Sequence, residues 1–133
     1  MIKKRLAAAA VAVATIFTVL ITSGTPASAD SFGTGGTATS ISTFTNGSTQ
    51  YVQNHNGDDI AFTNDAGISV DMRWRKCTDA SVVGSIKYNI APGTGYRTLG
   101  TDFLAGTCLR IQYRGYTATG SFRGTTFWNY SWA

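Results

Sequence analysis

The segment ISVDMRWRKC, residues 68–77, constrains this chain more than any other. Ile68, Val70, Met72 and Trp74 fall on one side, and Ser69, Asp71, Arg73, Arg75 and Cys77 fall on the other. A repeat of two belongs to extended backbone, whereas a helix would scatter the same apolar residues around its axis. A second segment, TCLRIQYRG, repeats the pattern, with Leu109, Ile111 and Tyr113 opposite Cys108, Arg110, Gln112 and Arg114. Both segments read as half-buried strands that carry a cysteine on the polar side.

Cys77 and Cys108 are the two cysteines of the chain. In an exported protein they have only each other to pair with, and no Cys-x-x-Cys spacing offers a metal site in their place. If they bridge, either the two strands lie close within one sheet or a strand end bends. In the first case Arg73, Arg75, Arg110 and Arg114 gather on a single face. Such a face has two readings, a solvated outer surface with Asp partners or a docking surface for carboxylates and other anions, which suits the planar fork of arginine.

Export is itself an expectation from the first residues. Lys3, Lys4 and Arg5 precede an apolar run from Leu6 to Ile21, followed by Pro26 and the small-residue triplet Ala27-Ser28-Ala29. This is the order of a secretory leader, in a style similar to Gram-positive bacterial leaders, with cleavage expected after Ala29. The run is short for a spanning helix, so a retained anchor is the weaker reading and no membrane span is expected after removal. The expected organisation is a signal peptide at 1–29, a flexible Gly/Ser/Thr segment at 30–36 and a single β domain at 37–133.

Removing the leader takes away three of the eleven cations and none of the seven acids, which lowers the net charge from +4 to +1. What remains is unevenly placed. Residues 30–72 hold Asp30, Asp58, Asp59, Asp65 and Asp71 with no Lys or Arg, and all eight remaining cations lie beyond Arg73 or at it. That is too little clustered charge to expect nucleic acid as a partner.

The chain has no Glu and is rich in Thr, Ser, Gly and Tyr, which disfavours helix. Asn46-Gly47, between 37–45 and 48–53, is a hairpin signal, and Asn56-Gly57 turns the chain toward Ile60–Thr63. Further strands are expected at 82–90, 96–104, 107–116 and 122–132. The sum is an all-β, antiparallel sandwich or small barrel of about seven or eight strands with one disulfide.

The closing segment FRGTTFWNYSW aligns Phe122, Gly124, Thr126, Trp128, Tyr130 and Trp132 on one side. The stronger reading is a core-facing row, because a small sheet protein needs large rings to cover its interior. The other is a platform of Trp128, Tyr130 and Trp132, with Trp74 as a further ring, stacking on sugar faces.

Catalytic signals are sparse. His55 is the single histidine, in the turn NHNGDD, and no Gly-x-Ser-x-Gly or His-Glu-x-x-His motif is present. No cofactor is expected, although Asp58, Asp59 and Asp65 supply oxygens that a calcium ion would accept. The expected function is that of a small secreted binding protein without catalysis, acting on an extracellular protein or the cell envelope as an inhibitor or antagonist. The alternatives are a carbohydrate-binding domain using the aromatic strand and, more remotely, a small hydrolase centred on His55.

Overall fold

The computed structural model describes residues 29–131; the expected leader up to Ser28, and Trp132, lie outside the described residues. Nine strands form in chain order: β1 Asp30–Ala38, β2 Thr45–Asn46, β3 Tyr51–Val52, β4 Asp58–Gly67, β5 Val70–Lys76, β6 Lys87–Ile90, β7 Arg97–Phe103, β8 Cys108–Gly115 and β9 Gly120–Tyr130. Among the described residues there is no helix. One sheet runs β1-β9-β4-β7; the other runs β2-β8-β5-β6, with β3 also paired to β8. Every pairing is antiparallel.

The two sheets enclose a common core. Ile60, Phe62, Leu99 and Phe122 come from the first sheet, and Tyr51, Val70, Met72, Ile90, Leu109 and Ile111 from the second. These are the inward residues that alternation assigns in β5 and β8, and burying them is the main force that brings the sheets together. Rings meet edge to face across the gap: Tyr51 with Trp128 at 4.9 Å and Tyr113 with Phe122 at 4.8 Å between centroids. Trp74 packs edge-on against Phe103 at 5.1 Å, and a Cβ at either Gly84 or Gly100 would collide with its indole.

Three details depart from the sequence-based expectation. Residues 30–36, expected to be flexible, belong to β1, which pairs with β9 from Asp30↔Trp128 to Ala38↔Gly120. Hydroxyls supply the ties that apolar side chains do not: Thr34 Oγ1 lies 2.7 Å from Thr126 Oγ1 and 2.9 Å from Tyr51 Oη. Asn46-Gly47 is no hairpin turn. β2 and β3 both pair with β8, and the Gly47 amide donates to the Ile111 carbonyl, so 45–52 is one interrupted edge strand. β1, β2 and β3 stand where two hairpin arms were expected, which brings the strands to nine. Finally, Asp65-Ala66-Gly67, which reads in the sequence as a turn, continues β4 through a bulge, and the chain crosses to the other sheet at Ile68-Ser69.

Buried polar groups join strands where apolar contacts cannot. Gln53 donates to the Asp59 carbonyl and accepts from the Asn129 amide, while Asn129 Oδ1 accepts from Asn54 N and its Nδ2 donates to Asp30 Oδ2. Asn129 sits at a φ of 58°, a left-handed conformation that asparagine tolerates better than most residues. This knot closes one end of the sandwich by linking β1, β3, β4 and β9.

Cys77 and Cys108 form a disulfide between adjacent strands, with Cα atoms 5.4 Å apart. The Cys77 amide also donates to the Cys108 carbonyl, extending the β5–β8 ladder to the bridge. The bond spans a sequence separation of 31, and by chain entropy its loss through Cys77→Ala with Cys108→Ala should cost about 3.5 kcal/mol. Urea unfolding of the native and doubly substituted chains measures this directly.

Candidate functional site: an arginine face on the second sheet

The β5–β8 pairing assembles the face. Its register places Asp71 opposite Arg114, Arg73 opposite Gln112 and Arg75 opposite Arg110. These six residues share the side turned away from the core, because Val70, Met72, Trp74, Leu109, Ile111 and Tyr113 take the inner side. Same-face neighbours along one strand are about 6.8 Å apart and directly opposed Cα atoms about 5 Å apart, so four guanidinium groups share a compact grid. The first of the two geometries open to the cysteines is the one adopted, and it brings Arg73, Arg75, Arg110 and Arg114 together.

Each arginine is oriented by the protein. Arg114 Nε donates to Asp71 Oδ2 at 3.0 Å and its Nη1 to the Ser42 carbonyl; the Asp71 carboxylate, almost fully buried, also accepts the Asn89 amide. Arg73 Nε donates to Gln112 Oε1 at 2.7 Å, and Gln112 Nε2 donates to Asn46 Oδ1 at 2.8 Å. Arg75 reaches the carbonyls of Lys76 and Cys77, and Arg110 reaches those of Gly47 and Ser48. The Phe44 ring lies against two of the cations, 4.2 Å from Arg73 Cζ and 4.6 Å from Arg114 Cζ. Such contacts favour the cation electrostatically and hold its plane in place.

The charges on this face are left unbalanced. Among the described residues, Arg114 is the one member of the four with a carboxylate within ion-pair distance. Arg75 and Arg110 stand directly opposite each other, an arrangement that like charges disfavour in an antiparallel pair. Their hydrogen bonds go to neutral main-chain carbonyls, which fix direction without cancelling charge. A further acid, Asp79, lies in the turn after β5. Hydrogen bonds from the Ser81 hydroxyl and amide hold its carboxyl below the usual range, with Lys76 and Arg75 adding to the effect.

The remaining expected site residues are dispersed. Trp128 is half-buried against the core, edge-on to Tyr51, and Tyr130 is 2% exposed. Trp74 is enclosed by Phe103 and two glycines. His55 is 78% exposed at its side chain, with Nδ1 3.6 Å from Asp58 Oδ2. Asp58 and Asp59 are buried and accept the amides of His55 and Asp102, whereas Asp65 lies toward the far end of β4 and accepts from Thr125 Oγ1. The three acids proposed for calcium are therefore not brought together, and among the described residues no group of three or more His, Cys, Asp or Glu is arranged to hold a metal.

Phe44 and Asn46 belong to the face and were not foreseen as part of it. Gln112 is legible from the alternation of β8. Phe44 and Asn46 depend on β2 lying beside β8, and the Asn-Gly pair signals a different partner. Comparison with protein-family models, with curated proteins and with solved structures finds no match in any of the three, so the reading of this face rests on its own chemistry.

Two substitutions separate the structural and unbalanced parts of the grid. Asp71→Ala should lower stability by about 2–3 kcal/mol, because it leaves the Arg114 guanidinium and the Asn89 amide without their acceptor. Arg110→Glu should change stability by no more than about 0.5 kcal/mol in either direction, since an opposite-charge pair with Arg75 offsets the hydrogen bonds lost to the Gly47 and Ser48 carbonyls. Urea unfolding at low ionic strength distinguishes the two.

Proposed function

We propose that this chain is a secreted binding protein that acts without catalysis and docks the anionic surface of an extracellular protein or cell-envelope polymer on its arginine face. One observation carries the reading: Arg75 and Arg110 are directly opposed, with no carboxylate within ion-pair distance among the described residues. Like charges directly opposed across a ladder repel, and a bidentate anion between the two forks would relieve that repulsion. Anchoring by main-chain carbonyls takes only two of the five N–H donors on Arg75, so most of its donors are available to a ligand. Secretion is supported by the basic, apolar and small-residue order of the first 29 residues and agrees with the disulfide. Release from the membrane is consistent with the fold, in which no helix of the described residues is long and apolar enough to cross a bilayer.

Immobilised poly-L-glutamate serves as the probe. The chain from Asp30 should be retained at low ionic strength and released as salt screens the contact, with most of the loss by about 0.5 M. Arg75→Ala with Arg110→Ala should weaken retention at least tenfold. Arg97→Ala with Arg123→Ala, the same change of charge placed elsewhere, should weaken it about twofold or less. Equal losses in the two double variants would mean diffuse attraction to net charge and would refute the assignment.

A further inference from the structure

A sheet edge exposes unpaired N–H and C=O groups, and proteins blunt such edges with short strands, bulges, charges or cover. Three of the four edges here carry such devices. β7 is bulged against β4 and bears Arg97 and Asp102, the latter at a φ of 61°. β6 has four residues, a register shift, Lys87 and Asn89 at a φ of 54°. β2 and β3 have two residues each. β1 has none of these. It runs nine residues in unbroken register with β9, contains no Lys, Arg or Pro, and among the described residues pairs on the β9 side alone. Its one charge, Asp30, lies at its end and is held by Asn129.

We infer that β1 pairs antiparallel with β1 of a second copy of this chain, about a two-fold axis at Thr34, joining two four-stranded sheets into one of eight. In that register Phe32 lies opposite Gly36 of the second copy, Gly33 opposite its Gly35, and Ser31 opposite its Thr37. Partners of equal parity keep the core-facing sides aligned. Phe32 is 52% exposed on its own, and its ring would lie against the Tyr113 phenol, which fills the space over Gly36 of the second copy. On the outer side nothing lies within 4 Å of a Cβ built at Gly33, so the backbones are open to approach there. A second copy fits better than a foreign peptide because the exposed Phe32 ring and the Tyr113 phenol it would meet belong to the same chain, as an isologous contact requires. A net charge of +1 for residues 30–133 opposes such pairing only weakly.

The chain from Asp30, which holds all nine strands, is used for the test. Sedimentation equilibrium should show monomer and dimer in exchange, with half-dissociation below about 1 mM. Hydrogen exchange should show alternate β1 amides, those turned away from β9, gaining protection as concentration rises. Phe32→Ser should weaken association about tenfold, and Gly33→Lys, which sets a cation on the edge, should weaken it at least as much. Both replaced positions are open to solvent, and unchanged thermal melting at dilute concentration confirms that the variants fold. A monomer at every concentration would overturn the inference. So would a dimer whose β1 amides exchange equally in dilute and concentrated samples, or one insensitive to both substitutions. Association lost in the Arg75→Ala, Arg110→Ala variant but kept in Phe32→Ser would belong to the arginine face and would equally overturn it.

Discussion

The pairing of β5 with β8 is the constraint from which the other features follow. Seven consecutive residue pairs, Val70↔Gly115 through Lys76↔Leu109, fix which side chains face the core and which face out. A slip of one residue would turn Met72 and Trp74 to solvent and bury the arginines, at a cost far beyond any surface contact. The same register brings Cys77 beside Cys108 and aligns four guanidinium groups on the outer side. Core, covalent bond and charged face are thus three results of one alignment.

That alignment also makes the electrostatics informative. Ordinary surface ion pairs contribute little, and a fold selected for stability alone has no reason to set Arg75 against Arg110. The protein reinforces the arrangement instead of relieving it, through carbonyls of Gly47, Ser48, Lys76 and Cys77 and through Gln112, which accepts from Arg73 and donates to Asn46. Phe44 adds a flat surface against two of the cations. Oriented but uncompensated charge is characteristic of a surface awaiting an opposite charge, which is why this face carries the functional reading and the aromatic strand does not.

Much of the fold was legible because its informative strands are half-buried. In β5 and β8 the inner and outer residues alternate without interruption, and in β9 they do so up to a bulge between Phe127 and Tyr130, so parity alone assigned Met72, Ile111, Phe122 and Thr126 to the inner side. The arginine cluster was legible for the same reason, conditional on the cysteine bridge. What failed was the reading of strands with little apolar content. β1 is held by hydroxyls of Thr34 and Thr126, which appear in the sequence as a Gly/Thr-rich tail. β2 and β3 flank an Asn-Gly pair whose local preference for a tight turn is overridden by hydrogen bonds to β8, and the roles of Phe44 and Asn46 were hidden with it. Trp128 was legible as inward by the same parity, whereas Tyr130, buried opposite Asp59, lies past the bulge and its place does not follow from parity.

The disulfide joins neighbours that the ladder already holds, so its influence falls on the stretch between them. That stretch supplies one outer strand to each sheet, β6 to the second and β7 to the first. Either strand can peel from its sheet while the feet of the excursion stay 5.4 Å apart. A short tether keeps the local concentration of the detached segment high, so it returns to its place faster than it meets another molecule. The bridge thereby makes partial opening on that flank a reversible excursion instead of the first step toward tangling with other chains.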